Sequence, residues 1–290
     1  VRQRFEQHDS LDIRAQLAEL IGVRAQSVAF TRNASDALQS LIRNYNRLEP
    51  GDQVLISDLE YDTVKGAMRW LSRHRGVDVI EINHAHPASF DSLLETYRET
   101  FIRYPKLKLM ALTHVTHRTG LVMPVQAIAE LAEQHGVDII LDGAHALGQI
   151  DFNLEAMGIA FAGFNLHKWI GAPLTLGFLY IAPQRLADID PDMGEMHYPV
   201  SDIRARTPYS TPNTAVRIAA VGSANQKLRV KCTKSGPPRL TFSTRPTNSN
   251  GCVSGSSPST PRTWRQAPDC SQALNRCCPP SRPRTCPGAS

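Results

Sequence analysis

The sequence predicts an α/β fold: a mostly parallel β-sheet with helices on both faces, followed by an irregular tail. Between residues 11 and 181, short segments that are apolar throughout alternate with longer ones whose apolar residues recur at helical spacing. Strands covered on both faces lose their polar alternation, and intervening helices make the crossovers between parallel strands. From about Gly222 onward no period persists, and Ser, Thr, Pro, Arg and Cys dominate.

Residues 11–21 carry Leu11, Ala15, Ala18 and Leu20 or Ile21 at helical spacing. The apolar run 28–30 follows, then Asn33-Ala34-Ser35, then a helix with Ala37, Leu38, Leu41, Ile42 and Tyr45 on one face. Glu49-Pro50-Gly51-Asp52 marks a turn. Next come a strand over 53–57, a helix over 62–74, a strand over 77–82, a helix over 91–103 and a strand over 107–113. Pro124 opens a further helix that stops near His135-Gly136. Segments 137–141, 161–164 and 177–181 read as the last strands.

Charge and cysteine divide the chain in two. Residues 222–290 hold 11 of the 32 Lys and Arg but only Asp269 of the 27 acids, so residues 1–221 carry a net charge of −5. All six cysteines lie after residue 231. A basic protein of pI near 9.0 suggests nucleic-acid binding, but that character belongs to the tail alone. There Cys277-Cys278 has no Cys-x-x-Cys partner, and no aromatic series interleaves the arginines. Neither nucleic acid nor a metal is expected as a partner. With no apolar run long enough to cross a bilayer and no signal peptide, a cytoplasmic location away from membranes is expected. The tail's composition buries too little apolar surface to offset the entropy of ordering it. We expect a domain over 1–206, incomplete at its N-terminus, and a low-complexity, disordered or out-of-frame tail over 207–290.

In a parallel sheet, ligands bind beyond the carboxyl ends of the strands. The residues expected there are Asn33-Ala34-Ser35, Glu60-Tyr61, Thr116, Asp142 with His145, and His167-Lys168. This set matches the needs of pyridoxal 5'-phosphate (PLP): an amine for its aldehyde, a carboxylate for its ring nitrogen, an anion site for its phosphate and a flat group over its ring. Lys168 stands among Phe164, Leu166, Trp169 and Ile170, and is the only lysine between Lys108 and Lys227. Desolvation there favours the neutral amine that Schiff-base chemistry needs. Asp142 closes a buried strand, where it caps a turn or pairs with a pyridinium. His145 follows three residues on, within reach of the ring. Asn33-Ala34-Ser35 sits between strand and helix, where free N–H groups and the helix dipole suit a phosphate, or where an Asn simply caps. Asn165 and His167 can add phosphate contacts. Tyr61 is a candidate to stack on the ring, and Thr116 to line the pocket. His114 and His117 alone make a weak metal signal.

Five stretches, Thr31-Arg32-Asn33-Ala34-Ser35, Leu59-Glu60-Tyr61-Asp62, Thr113-His114-Val115-Thr116-His117-Arg118-Thr119-Gly120, Leu141-Asp142-Gly143-Ala144-His145 and Asn165-Leu166-His167-Lys168-Trp169-Ile170-Gly171-Ala172-Pro173, resemble the class V (fold type I) PLP-dependent aminotransferase family. Tyr61 and the His-Lys-Trp triplet look most like its isopenicillin N epimerase branch. The resemblance runs over residues 11–206 and implies the large domain of fold type I. It also implies Lys168 as the Schiff-base lysine, Asp142 as the pyridinium partner, a phosphate site of Ala34, Ser35, Asn165 and His167, and a homodimer. Three departures stand out. Leu174-Thr175-Leu176 replaces a glycine-containing turn, the opening segment is absent, and the pattern fades after Arg206, where the family has a phosphate contact from the second subunit and an arginine for the substrate carboxylate.

The function implied is chemistry at the α-carbon of an amino acid, as an epimerase, lyase or aminotransferase. Persulfide-forming desulfuration is not expected, because residues 1–221 lack a nucleophilic cysteine. The alternative is an inactive, truncated remnant that keeps only the cofactor cradle.

Overall fold

The computed structural model describes residues 10–192 and 201–206, and the backbone of two further segments, Lys227–Lys231 and Arg239–Ser243. Its helices are α1 (Ser10–Leu20), α2 (Ala34–Asn44), α3 (Asp62–Arg75), α4 (Phe90–Arg103) and α5 (Val125–Gln134). Its strands are β1 (Val28–Thr31), β2 (Gln53–Ser57), β3 (Asp78–Ile82), β4 (Leu107–Thr113), β5 (Asp138–Asp142), β6 (Phe161–Asn165) and β7 (Gly177–Ile181). These seven strands form one sheet in the order β1-β7-β6-β5-β4-β2-β3. β7 runs antiparallel to both its neighbours, and every other pairing is parallel. The mostly parallel α/β sheet anticipated from the sequence is the fold of this chain.

Helices cover both faces, which is why the central strands are apolar throughout. Val54, Ile56, Leu109, Ala111 and Ile140 pack with Leu38 and Leu41 of α2 and Val64 and Met68 of α3. Leu55, Met110, Leu112, Ile139 and Leu141 face the other way, against Leu93, Tyr97 and Phe101 of α4 and Ile128 and Leu131 of α5. Odd and even positions thus feed two separate cores, the period-two consequence of the pleat. α2 lies close on β6 because Gly163 has no Cβ; one built there would sit 3.0 Å from Ala37 Cβ and 2.9 Å from Leu38 Cγ.

Local chemistry sets the helix ends. Asn33 Oδ1 accepts from the Asp36 amide at 2.8 Å and so caps α2. Ser89 and Ser92 form a reciprocal capping box at α4. The stop anticipated at His135-Gly136 is present, with Gly136 at φ +68°. β5 runs one residue further than expected, so Asp142 is the strand's last residue instead of following it.

Among the described residues, no helix is long and apolar enough to cross a membrane. The expected low-complexity stretch 207–290 lies outside the described residues, apart from Lys227–Lys231 and Arg239–Ser243, whose backbones pair antiparallel as a separate two-stranded sheet.

Candidate active site

Six strands of the main sheet point the same way, so their carboxyl ends share one edge. Register aligns Thr113 with Asp142, Asp142 with Gly163, and Asn165 with Gly177. After Asp142 the chain turns tightly over Phe164. A Cβ at Gly143 would lie 2.1 Å from that ring, and only glycine leaves room for the turn. Asp142 is 5% exposed and accepts from the Ala144 amide at 2.9 Å. Burial raises its pKa above the ordinary carboxylate value, opposed by that amide and by the charge of Lys168.

Lys168 Nζ lies 2.8 Å from His145 Nε2, and the Trp169 indole N–H donates to His145 Nδ1 at 3.3 Å. With Nδ1 accepting, a neutral imidazole carries its proton on Nε2. A lysine that has lost its proton accepts from that N–H, and the electrostatics favour this form. Burial lowers the pKa of Lys168, with Asp142 opposing. Burial also lowers that of His145, followed by the charges of Lys168 and His117. The apolar neighbours expected around the lysine, Phe164, Leu166 and Ile170, are buried beneath it, whereas Lys168 itself and Trp169 are exposed.

The N-terminus of α2 reaches the same edge. Asn165 Oδ1 accepts from the Ala34 amide at 2.8 Å, tying the end of β6 to the first turn. Hydrogen bonds of that turn use the amides of Ala34, Asp36 and Ala37, but not that of Ser35. Ser35 Oγ accepts from Thr63 Oγ1 at 3.3 Å. His167 Nδ1 lies 3.3 Å from the Leu176 carbonyl. Close passage of β7 depends on Gly177, where a Cβ would fall 2.6 Å from Asn33 Cα.

The remaining predicted residues divide. Tyr61 is 42% exposed and meets the His117 ring edge-on at 5.2 Å. Thr116 is buried; its hydroxyl pairs with that of Thr119 at 2.6 Å and accepts from the Leu121 amide, which locks the turn after β4. Its neighbour His117, singled out only as a weak metal signal, adds to the charge of Lys168 acting on His145. His114 packs instead against Phe152, and burial lowers its pKa to about 4. Glu60 was placed at this edge by sequence but given no task. It is 1% exposed and shares hydrogen bonds with Ser57 Oγ and Thr113 Oγ1. An open concavity of about 520 Å³, lined by Tyr45, Lys108, Glu133, Asp138 and Arg185, lies at the opposite end of the strands.

A free amine, a buried carboxylate, an imidazole and a helix N-terminus with an unused amide fit a ligand bearing an aldehyde, a basic ring nitrogen and a phosphate.

The comparisons with known proteins point to the same chemistry. The family model for class-V aminotransferases matches residues 6–214. The isopenicillin N epimerase of Streptomyces clavuligerus is 32% identical over 178 residues, 61% of this chain and 44% of that protein. A probable cysteine desulfurase of Vibrio cholerae is 29% identical over 170 residues, 58% of this chain and 41% of that protein. The chain thus spans less than half the length of these relatives. In fold it resembles the apo cysteine desulfurase of Thermococcus onnurineus, with TM-score 0.63 and 21% identity over 75% of this chain and 56% of that one. By the match over residues 6–214, the chain belongs to the class-V aminotransferases, a family of PLP-dependent enzymes.

Proposed function

We propose that this chain is the PLP-binding part of a homodimeric cytoplasmic enzyme acting at the α-carbon of an amino acid, as an epimerase, lyase or aminotransferase. The observation that carries this reading is the contact of Lys168 Nζ with His145 Nε2 at the ends of β5 and β6, beside the buried Asp142. Lys168 is the amine that bonds the cofactor aldehyde, and Asp142 pairs with the ring nitrogen. Ala34, Ser35, Asn165 and His167 hold the phosphate, with Asn33 setting the helix start. Tyr61 and Thr116 border the pocket, Tyr61 through its ring and Thr116 through the turn it fixes.

When bound, PLP supplies an aldehyde for the substrate amine and a ring that draws electron density from the α-carbon. The protein's residues do the rest. Buried Asp142, given a cationic partner, recovers the Coulombic energy that burial alone denies it. Lys168, once released, would take the α-proton on its free lone pair, with His145 beside it, oriented by the Trp169 indole N–H. The homologous epimerases favour proton removal and return as the reaction class. Exposed Trp169 and Leu174 beside the lysine are the apolar surface a second subunit would cover.

Purified chain mixed with PLP should develop a visible band shifted from free PLP. Borohydride reduction should then leave a pyridoxyl mass on the Lys168 peptide, and Lys168→Ala should show neither. Folded protein without band or adduct would overturn the assignment and favour the remnant reading.

A further inference from the structure

Behind Asp142 lies a second buried carboxyl that the proposed chemistry does not use. Glu60 follows β2 at the sheet's carboxyl edge, 1% exposed. Ser57 Oγ donates to its Oε1 at 3.1 Å, and Thr113 Oγ1 lies 2.5 Å from its Oε2. Neither partner is a cation. Thr113 is also the β4 residue in register with Asp142 on β5. The groups facing Glu60 from surrounding elements do not neutralise it. Tyr97 of α4 presents a buried, neutral phenol beside Ser57, and His84 beyond β3 spends its Nδ1 on Asp58 while its buried Nε2 has no hydrogen-bond partner. Lys168 acts electrostatically on Asp142. Two carboxyls thus share one water-poor pocket with one lysine nearby, and two anions so placed do not both stay ionised.

We propose that Glu60 is a positioning residue of the cofactor site: a neutral carboxylic acid that accepts from Ser57 Oγ at Oε1 and, protonated on Oε2, donates its own O–H to Thr113 Oγ1, leaving Asp142 as the one carboxylate charged toward the ring. This rests on reading Asp142 as the cofactor's partner. Burial pushes the Glu60 carboxyl up to about 8, with the charge of Asp142 adding to the rise and the Thr113 and Ser57 hydroxyls opposing it. A carboxyl raised on folding stabilises the fold fully below its ordinary value of 4.5 and loses that contribution as pH rises through about 8.

The test uses the full chain without cofactor, and then with it. Melting temperatures of wild type and Glu60→Gln should diverge as pH rises across that window, wild type falling relative to the variant, because Gln cannot ionise. Parallel profiles would show that Glu60 gains no proton on folding and would overturn the proposal. In the second arm, Glu60→Gln should keep the PLP affinity of wild type within about twofold, while Glu60→Ala should weaken it roughly tenfold, as loss of a supporting partner does. Equal losses in Gln and Ala would also overturn it. If wild type binds no PLP at all, the cofactor reading fails and the melting profiles alone decide the state of Glu60.

Discussion

β5 carries an aspartate at each end, on the same face, and the two meet opposite fates. Asp138, at the amino edge of the sheet, receives two hydrogen bonds from the Arg185 guanidinium, at 3.0 and 2.5 Å, and a third from the Tyr45 hydroxyl. Arg185 is held in turn by Asp188 and lies over the Phe161 ring. Burial, then the bond to Asp138, drives the Tyr45 phenol well above its ordinary value. Asp142, at the carboxyl edge, accepts from one backbone amide and stands near a lysine whose pKa burial lowers. Backbone geometry differs in the same sense. Positive φ at the amino edge falls on glycines such as Gly76 and Gly136, while at the carboxyl edge Thr175 also adopts φ +70°. Asp138 is fully partnered at its edge, whereas the carboxyl edge holds the underpaired Asp142 and the strained Thr175, features that recur at functional sites.

The largest break in this contrast comes from Asp142→Asn. If the carboxylate serves the reaction, kcat should fall about 10²–10³-fold, the scale for losing a preorganised charge partner. Stability should move the other way. The Asp142 pKa is raised on folding, so its ionisation costs stability progressively as pH climbs above the ordinary value of 3.8. The cofactor-free Asn variant should therefore melt higher than wild type at neutral pH. A lower melting temperature would make Asp142 a structural residue like its counterpart. Asp138→Ala should do the reverse. Its ion pair with Arg185 is 23–28% exposed at the side chains, so solvent screens it in part. Stranding Arg185 and Tyr45 should still cost about 2 kcal/mol in urea unfolding, with PLP binding unchanged. A weakened cofactor site in this variant would show that the two edges are coupled.

How much of this was legible beforehand follows from range. The strands were, because burial on both faces makes each a continuous apolar run bounded by turn residues. So was the place of Asp142, His145 and Lys168 at the sheet edge, because each lies within a few residues of a strand that could be placed. What escaped depends on contacts between distant segments. Glu60 owes its isolation to Thr113, 53 positions away, and the Ala34 amide meets Asn165 across 131. Thr116 stands after β4, but the bond of its hydroxyl to Thr119 and the contact of the neighbouring His117 with Tyr61 depend on how the loop bends. Periodicity tells which face of an element is apolar. It does not tell which polar side chain turns toward the site once the backbone bends.

The smallest effect tests the strain itself. Leu174-Thr175-Leu176 stands where the resembling family has a glycine-containing turn, and Thr175 keeps the left-handed backbone that glycine adopts freely. A β-branched residue there meets its own Cβ crowding, at about 1–2 kcal/mol. The turn cannot relax at will. The Leu176 amide side is anchored, its carbonyl taking the Leu166 amide at 2.9 Å and approaching His167 Nδ1, and β7 begins at Gly177. Thr175→Gly removes the crowding but frees the unfolded chain, which returns roughly 0.5–1 kcal/mol. The net expectation is a gain of about 0.5–1 kcal/mol in urea unfolding. If the strained turn also serves to hold His167 toward the phosphate, PLP affinity should fall while stability rises. A variant that loses stability would show that Thr175 is at ease in its conformation, and the contrast between the two edges would then rest on their carboxylates alone.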